Sequence, residues 1–478
     1  MRFCTLIIMG ISALAIFPKR SAAQERLSLE EAMTMLYSQS KTIRIAEKGI
    51  DIAHAQKQML NSAWYPYINA AGAYINLSEE IKVQESVANL AKPIAEQLSG
   101  TIPQLGPIIS LLGSANLTFP LLDNNLATID GSIMWPLFTG GKRIYANRVG
   151  KSLINSARLN RDMQQNIQIT QLVEQYYTLK LISCNIDACR IEVQANGNLY
   201  RNALKLMENG IINRAEMLVA KMAFEEATLK LESTMRKQRE AEKSLRSLLG
   251  IDTTSTNGIY TSLVLDSPFF ICTQLPSEEE FLSMARTGNN QTKLIEQQRN
   301  IVENNKKIAR SGYLPDISIF ARQNLWSYNI PSNLLPRTTL GAAFIWNLFD
   351  GMNREKRIHI ARLQQENLDL GKREAEEQVA RAVRNLYSIL EDSGESLESI
   401  GTSISLATEL VKIREKSFKE GMATASEVVE ANALLAKSNM AANLACFQYE
   451  MALANMTSLC GNGAQFVSFL KMDNNIYR

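Results

Sequence analysis

The sequence predicts a mainly α fold with a small β part, in which long α-helical hairpins and pairs of strands occur twice in tandem. Three observations predict it. The stretch Trp135 to Gly250 falls on Trp346 to Gly461 without a gap when displaced by 211 positions. Trp135-Pro136-Leu137-Phe138 meets Trp346-Asn347-Leu348-Phe349, and Gly140, Arg143, Gly210, Glu216 and Gly250 meet Gly351, Arg354, Gly421, Glu427 and Gly461. An unbroken offset of this length describes a rod whose register matters, because surface loops of a globular domain accept insertions. Second, Gly141 to Glu208 and Met352 to Glu420 contain no proline and almost no glycine. At 1.5 Å per residue each makes a helix of roughly 100 Å, a length that implies coiled-coil packing. Third, segments of period-two hydrophobicity precede each rod.

Taken in order, Arg2, the apolar run Leu6 to Phe17 and the small residues Ser21-Ala22-Ala23 read as a signal peptide over residues 1–23. The net charge of +3 is carried by Arg2, Lys19 and Arg20, so the processed chain is neutral and gives no argument for a nucleic-acid partner. Beyond Phe17 no apolar run approaches the roughly 20 residues of a membrane helix, so a membrane crossing would need a barrel. Of six cysteines Cys4 belongs to the signal, and the odd remainder (Cys184, Cys189, Cys272, Cys446 and Cys460) read as small buried apolar residues. His54 and His359 have no ligand spacing around them, and no phosphate loop or nucleophile elbow occurs. No cofactor, metal site or enzymatic activity is expected.

The first repeat spans 24–250. Ser28 with Glu31 forms a capping box at the start of a helix over 28–61, and Pro66 follows it. Ser277 with Glu280 and Pro315 repeat this pattern over 277–311 at an offset of 249, in a second repeat that spans 277–461. The change of offset from 249 to 211 places 38 additional residues in the first copy, with 79–116 as their body. That body reads as an elaborated loop with room for a short helix from Ile81 to Ala91. Residues 251–276 read as an equatorial linker and 462–478 as a C-terminal tail.

Strands are expected at 64–78 and 117–138, and again at 313–328 and 337–349. Ile129, Gly131, Ile133, Trp135 and Leu137 share one face, with Thr128, Asp130 and Ser132 on the other. Leu340, Ala342, Phe344, Trp346 and Leu348 share a face in the second pair. Periodicity alone fits an ordinary half-buried sheet as well as a membrane barrel; the signal peptide and the lack of a membrane helix favour the barrel. Four strands cannot enclose a lumen, so several chains would have to share one barrel.

The hairpins occupy 139–250 and 350–461. Val428, Ala431, Leu435, Ser438, Ala442, Ala445, Tyr449, Ala452, Met456 and Leu459 step by three and four, as knobs-into-holes packing requires. Met217, Ala220, Phe224, Ala227 and Leu231 do the same in the first copy, Tyr177, Leu181, Cys184, Ala188, Ile191 and Ala195 on its rod, and Leu397, Ile400, Ile404, Ala407 and Val411 on the second rod. Leu406, Leu410 and Ile413 form a second stripe, so that rod should touch neighbours on two sides. Gly210 and Gly421 are placed to end the rods in the left-handed conformation. Asn213 with Glu216, and Thr424 with Glu427, read as capping boxes that restart the chain.

Two copies of helix, strand pair and long helical hairpin behind a secretion signal resemble the TolC-like outer membrane efflux protein family. The most specific pieces are the Trp-x-Leu-Phe-x-Gly junctions (Trp135, Pro136, Phe138 and Gly140; Trp346, Phe349 and Gly351) and the tip from Lys419 to Ala431. The resemblance implies a homotrimer in the bacterial outer membrane, in contact with its lipid. Its strands would form one 12-stranded barrel and its helices an α-barrel tunnel through the periplasm. It also implies a passive exit duct of a tripartite efflux or type I secretion system, with a periplasmic adaptor (membrane fusion) protein and an RND or ABC inner-membrane pump as partners. Acidic residues six and nine places after the second tip glycine narrow the tunnel entrance in that family; here these are Glu427 and Glu430, and Glu216 matches a further acidic position. The tips around Gly210, Asn213, Gly421 and Thr424 would receive the adaptor. Phe418 and Ala423 stand where the family's best-known member has tyrosine and arginine, so the closing contacts should differ. A periplasmic coiled-coil scaffold without a channel is the rival from another class.

Overall fold

A capping signal inside each short helical stretch divides it. The expected helices over 28–61 and 277–311 are each two: α1 (Leu29–Gln39) and α2 (Lys41–Asn61) in the first copy, α5 (Glu278–Gly288) and α6 (Asn290–Ser311) in the second. Ser40 and Asn289 take extended ψ angles of 115° and 123° at the breaks. The Asn289 carboxamide oxygen accepts from the amides of Gln291 and Thr292 at 3.0 and 3.1 Å, and Ser40 Oγ from Ile43 at 3.3 Å, so each break is an N-cap for the next helix. The capping boxes at Ser28/Glu31 and Ser277/Glu280 are both formed.

The computed structural model describes residues 25–76, 78, 125–251, 263–330, 336–472 and 474–477 of the 478. The signal peptide, the 79–116 insertion with its Ile81 to Ala91 helix, and the first part of the 117–138 strand lie outside the described residues. The remaining elements are β1 (Glu25–Leu27), β2 (Tyr67–Asn76), β3 (Asn125–Thr139), α3 (Lys142–Glu208), α4 (Arg214–Leu248), β4 (Leu263–Leu265), β5 (Phe269–Cys272), β6 (Asp316–Tyr328), β7 (Thr338–Ile345), α7 (Asn353–Lys419), α8 (Ala425–Leu459), α9 (Gln465–Leu470) and β8 (Asn474–Tyr477). The mainly α fold with four longer strands is therefore observed. The chain forms two compact units, Met1–Ile50 with Ala157–Ile295 and Gly371–Arg478, and Asp51–Ser156 with Glu296–Leu370.

In the first unit, α3 runs antiparallel to both α4 and α8. Lys230 reaches Glu192 at 2.9 Å and Gln238 reaches Ser183 at 3.2 Å on one side. On the other, Asn432 donates to Asn196 at 2.9 Å and Asn443 to Asn185 at 3.0 Å. The two asparagine pairs lie about three turns apart on both helices, and a sliding of one helix would break both together. The α8 and α4 seams are buried or half-buried throughout. Ile191 is the exception on α3: it is 56% exposed, and the buried stripe runs instead through Cys189, Asn196, Leu199 and Ala203. A straight helix drifts from a strict heptad by about 20° per repeat, which carries Ile191 off the seam. Leu406 and Ile413 of the second stripe stay exposed in the single chain at 67% and 53%.

The core of this unit, formed mainly by the helices, also takes in stretches that read as linker and tail. β4 pairs in parallel with β1, and β5 pairs antiparallel with β8. Tyr176 Oη donates to the Leu27 carbonyl at 2.9 Å and accepts from Ser267 N at 3.0 Å. Tyr177 stacks on Phe269 at 5.6 Å and meets Phe466 of α9 edge-on. The amides of β5 that point away from β8 are taken by adjacent side chains of α8: Phe270 N donates to Glu450 Oε1 at 2.9 Å and Cys272 N to Tyr449 Oη at 3.2 Å. Close backbone contact joins α5 to the end of α8, since a Cβ on Gly288 would lie 2.0 Å from the Cys460 carbonyl oxygen. Four of the five described cysteines are buried, and burial pushes the thiols of Cys272 and Cys460 up to about 11 and that of Cys446 to about 12. They are packing residues rather than nucleophiles.

In the second unit the strands form one antiparallel sheet in the order β2-β3-β6-β7. The central pair, β3 with β6, joins the two repeats. The outer edges of β2 and β7 have no partner among the described residues.

Glu450 is fully buried and holds its carboxyl well above the usual carboxylate range through desolvation, opposed by the Phe270 amide. The neutral form is therefore the folded form. As pH rises above 4.5 the unfolded chain gives up this proton while the folded chain keeps it, so stability from this group is full below that value and is lost with rising pH. Glu450→Gln keeps the acceptor for Phe270 and cannot ionise. In thermal scans of detergent-solubilised protein, its melting temperature is expected to rise relative to wild type progressively above pH 4.5.

Candidate functional site

The helix tips come first. Rods α3 and α7 end in matched Schellman turns. Gly210 at φ +72° and Gly421 at φ +73° take the left-handed conformation, Ile211 N donates to Leu206 O, and Met422 N to Ser417 O, each at 2.8 Å. Asn213 and Thr424 cap the return helices by accepting from Glu216 N at 2.9 Å and Glu427 N at 3.3 Å. The reciprocal halves of the expected capping boxes are absent, because both glutamates point elsewhere. Glu216 Oε2 accepts from the Ala425 amide at 2.7 Å, the first residue of α8, so the first hairpin caps a helix of the second. Glu427 accepts from Arg414 Nη1 of α7 at 2.5 Å. Glu430 is exposed and accepts from Ser426 Oγ at 3.5 Å. Beneath these contacts Leu199, Ala203, Ala220, Phe418, Ala425 and Val428 pack as a small core, with Phe418 1% exposed. The three glutamates therefore lie around one joined pair of tips, each with a different partner.

The strand-to-helix junctions are matched in the same way. Trp135 Nε1 donates to Trp64 O, and Trp346 Nε1 to Tyr313 O, both at 3.0 Å. The aromatic rings of Trp64 and Tyr313 lie under the guanidinium groups of Arg143 and Arg354, at 4.2 and 4.6 Å. Both arginines are 8% exposed and hold backbone carbonyls of the junction: Arg143 donates to Pro136 O and Leu137 O at the end of β3, Arg354 to Gly312 O and Leu348 O in the turns beside β6 and β7. Gly140 has φ +58°, and a Cβ there would sit 2.5 Å from the Ser311 carbonyl. Gly351 is also left-handed, and so is Met352, where the first copy has Gly141. The junctions differ in one respect. β3 continues through Pro136 and Phe138 to Thr139 with a register shift at Pro136/Phe138, whereas β7 stops at Ile345, short of the expected 337–349, so Trp346 and Phe349 lie beyond it. Phe138 and Phe349 are exposed.

The sheet has two unlike faces. Strand register places Ile68, Ile129, Ile133, Trp135, Ile319, Leu340 and Phe344 on one face, and all of them are exposed in the single chain. Tyr74, Trp326 and Tyr328 lie toward one end of that face and Trp135 with Phe344 toward the other. From Tyr328 to Ile319, the partner of Trp135, the strand covers roughly 30 Å. Tilted by about 40°, this becomes roughly 23 Å, close to the apolar band of a membrane barrel. The opposite face carries Asn69, Thr128, Asp130, Ser132, Arg322 and Asn324, with Tyr67, Met134 and Phe320 nearer the helix junctions.

The sequence reading missed Arg414, because a pair thirteen residues apart across a turn has no local signature. It also missed Trp64 and Tyr313, whose equivalence needs the second offset. Arg143 and Arg354 were identities in the repeat, which was a usable signal.

A duplicated helical hairpin attached to such a sheet has known counterparts. Residues 282–462 match the outer membrane efflux protein family. The match covers nearly all of the second repeat, and the first repeat carries the same pattern at offsets of 249 and 211 positions. No curated protein sequence matches the chain. Solved structures with this fold include the outer membrane protein VceC from Vibrio cholerae, 14% identical with a TM-score of 0.70, covering 91% of this chain and 96% of VceC. The Campylobacter jejuni CmeC outer membrane channel is 13% identical with a TM-score of 0.67, covering 93% and 89%. The MtrE outer membrane channel of Neisseria gonorrhoeae, solved in its open state, is 14% identical with a TM-score of 0.63, covering 91% and 89%. The efflux-protein fold is thus shared at identities where only the architecture is retained.

Glu216→Ala removes a charge-assisted cap from α8 and is expected to cost about 1–2 kcal/mol at the tips. Hydrogen exchange should speed up at Ala425 and neighbouring amides while the β5 amides stay protected. Arg143→Lys cannot reach two carbonyls and stack on Trp64 together. A loss of about 2 kcal/mol is expected, read as a lowered melting temperature.

Proposed function

We propose that three copies of this chain form a hollow duct. Its strands sit in the bacterial outer membrane and its helices cross the periplasm. It passively conducts substrates delivered by an RND or ABC inner-membrane pump through a periplasmic adaptor (membrane fusion) protein. The observation that carries this reading is the sheet, whose outer edges have no partner among the described residues, with one apolar face and the other carrying polar and charged side chains at mid-span. Unpaired backbone groups in lipid cost several kcal/mol each, so strands at membrane depth must close on themselves. Three four-stranded sheets joined β7 to β2 give twelve strands, with apolar faces toward lipid and aromatic residues at both rims. The chain acts as a conduit and not as an enzyme; its partners supply the energy.

At the periplasmic end, the exposed Ile211 and Met422 beside the tip glycines, at 56% and 72%, form the surface an adaptor would cover. Gly210, Asn213, Gly421 and Thr424 fix the shape of that surface. Of the three acidic residues at the entrance, Glu427 is balanced by Arg414 and Glu216 is engaged with Ala425 N. Glu430 is left as the residue whose charge three chains would present to passing ions.

A periplasmic scaffold would leave the apolar face of the sheet in water. Extraction of the protein without detergent would favour that rival. In planar bilayers the purified protein should conduct with a cation preference. Glu430→Ala should abolish it, whereas the double variant Glu427→Ala/Arg414→Ala, which removes a balanced pair, should leave it near wild type. A preference that survives Glu430→Ala removes the entrance ring from the reading.

A further inference from the structure

The polar face of the sheet holds a charged cluster that the duct reading does not use. Asp130 of β3 accepts three hydrogen bonds: from Arg322 Nη2 at 2.5 Å and Asn324 Nδ2 at 3.0 Å on β6, and from Thr128 Oγ1 at 3.2 Å on its own strand. Asn324 also donates to Thr128 Oγ1 at 2.8 Å. The Asp130 and Arg322 side chains are only 11% and 14% exposed in the single chain, so the guanidinium lies along the sheet and does not extend from it. A bulge sets this up. Ile129 faces Trp326 and Asp130 faces Asn324, which leaves Leu325 unpaired. The bulge brings Asn324 onto the face of Asp130 and returns Trp326 to the apolar face.

The cluster lies between the two aromatic ends of the apolar face, near the middle of its span. On the lipid side at that depth a charged residue costs about 2–4 kcal/mol. On the other side it meets water. Resting on the duct reading, we propose that Asp130 and Arg322 line the strand-built part of the conduit as a charge-neutral girdle. Asp130 is a positioning residue that folds the long Arg322 side chain out of the path. Three such pairs carry six charges but no net field, so ions and charged cargo of either sign pass this level without selection. Discrimination is left to the tips.

The test uses the purified full chain in planar bilayers under a salt gradient, with the anion-to-cation permeability ratio as the readout. Asp130→Asn frees three guanidinium groups and should raise the ratio by about threefold or more. Arg322→Gln should lower it comparably, and the double variant Asp130→Asn/Arg322→Gln should return it close to wild type. A merely structural role would not move the ratio in opposite directions. If Asp130→Asn does not assemble, Arg322→Gln decides: a shift toward cations supports the girdle, and an unchanged ratio overturns it. Wild-type protein that gives no conductance overturns the duct reading and this proposal with it. Conducting variants with an unchanged ratio overturn this proposal alone.

Discussion

An antiparallel sheet four strands wide has two rows of backbone donors and acceptors with nothing to bond. Among the described residues of this chain those rows lie on β2 and β7. Water could satisfy them, but the apolar face beside them argues for lipid, where nothing can. Under the duct reading, that single conflict leaves one chain incomplete by itself. It explains why the strands are long while the sheet is narrow, and why the rods keep an apolar stripe with no partner in the single chain. The polar cluster around Asp130 follows from the same constraint, since a sheet with lipid on one side can carry charge only on the other.

The helical part solves a different problem, which is holding register over a great length. Apolar seams alone allow a helix to slip by a turn at little cost. The paired asparagines between α3 and α8 and the ion pair between α3 and α4 make slippage expensive at fixed points. The core around Tyr176, Tyr177, Phe269, Phe270 and Phe466 clamps the middle of the rods with short strands and a terminal helix. The Glu450 carboxyl and the Tyr449 hydroxyl accept from strand amides that would otherwise be orphaned.

Much of this was legible from the chain itself. The two offsets located both rods, the left-handed glycines at their ends and the alternating faces of the strands, because those features depend on periodicity and on glycine's freedom at positive φ. What could not be read depended on long-range partners. Ser40 and Asn289 looked like interior helix residues until the segments they cap were visible. Residues 251–276 looked like a linker because three- and four-residue strands carry no periodic signal, and their pairing with β1 and β8 is remote in sequence. Ile191 fits an ideal heptad and misses the seam of a real helix. Glu216 and Glu427 fit a local capping rule, yet their carboxylates found better partners: an amide on the next hairpin and a guanidinium on the rod. Local rules found the N-caps Asn213 and Thr424 and missed where the two carboxylates go.

The carboxylate of Glu216 spans two hairpins that lie far apart in the sequence. With the apolar plug around Phe418 beneath it, it fuses both ends of one protomer into a single block. In the three-chain duct proposed above, the aperture would then have three moving parts and not six. Widening it would mean displacing whole blocks against one another, along seams between chains, in the manner of a three-jaw chuck.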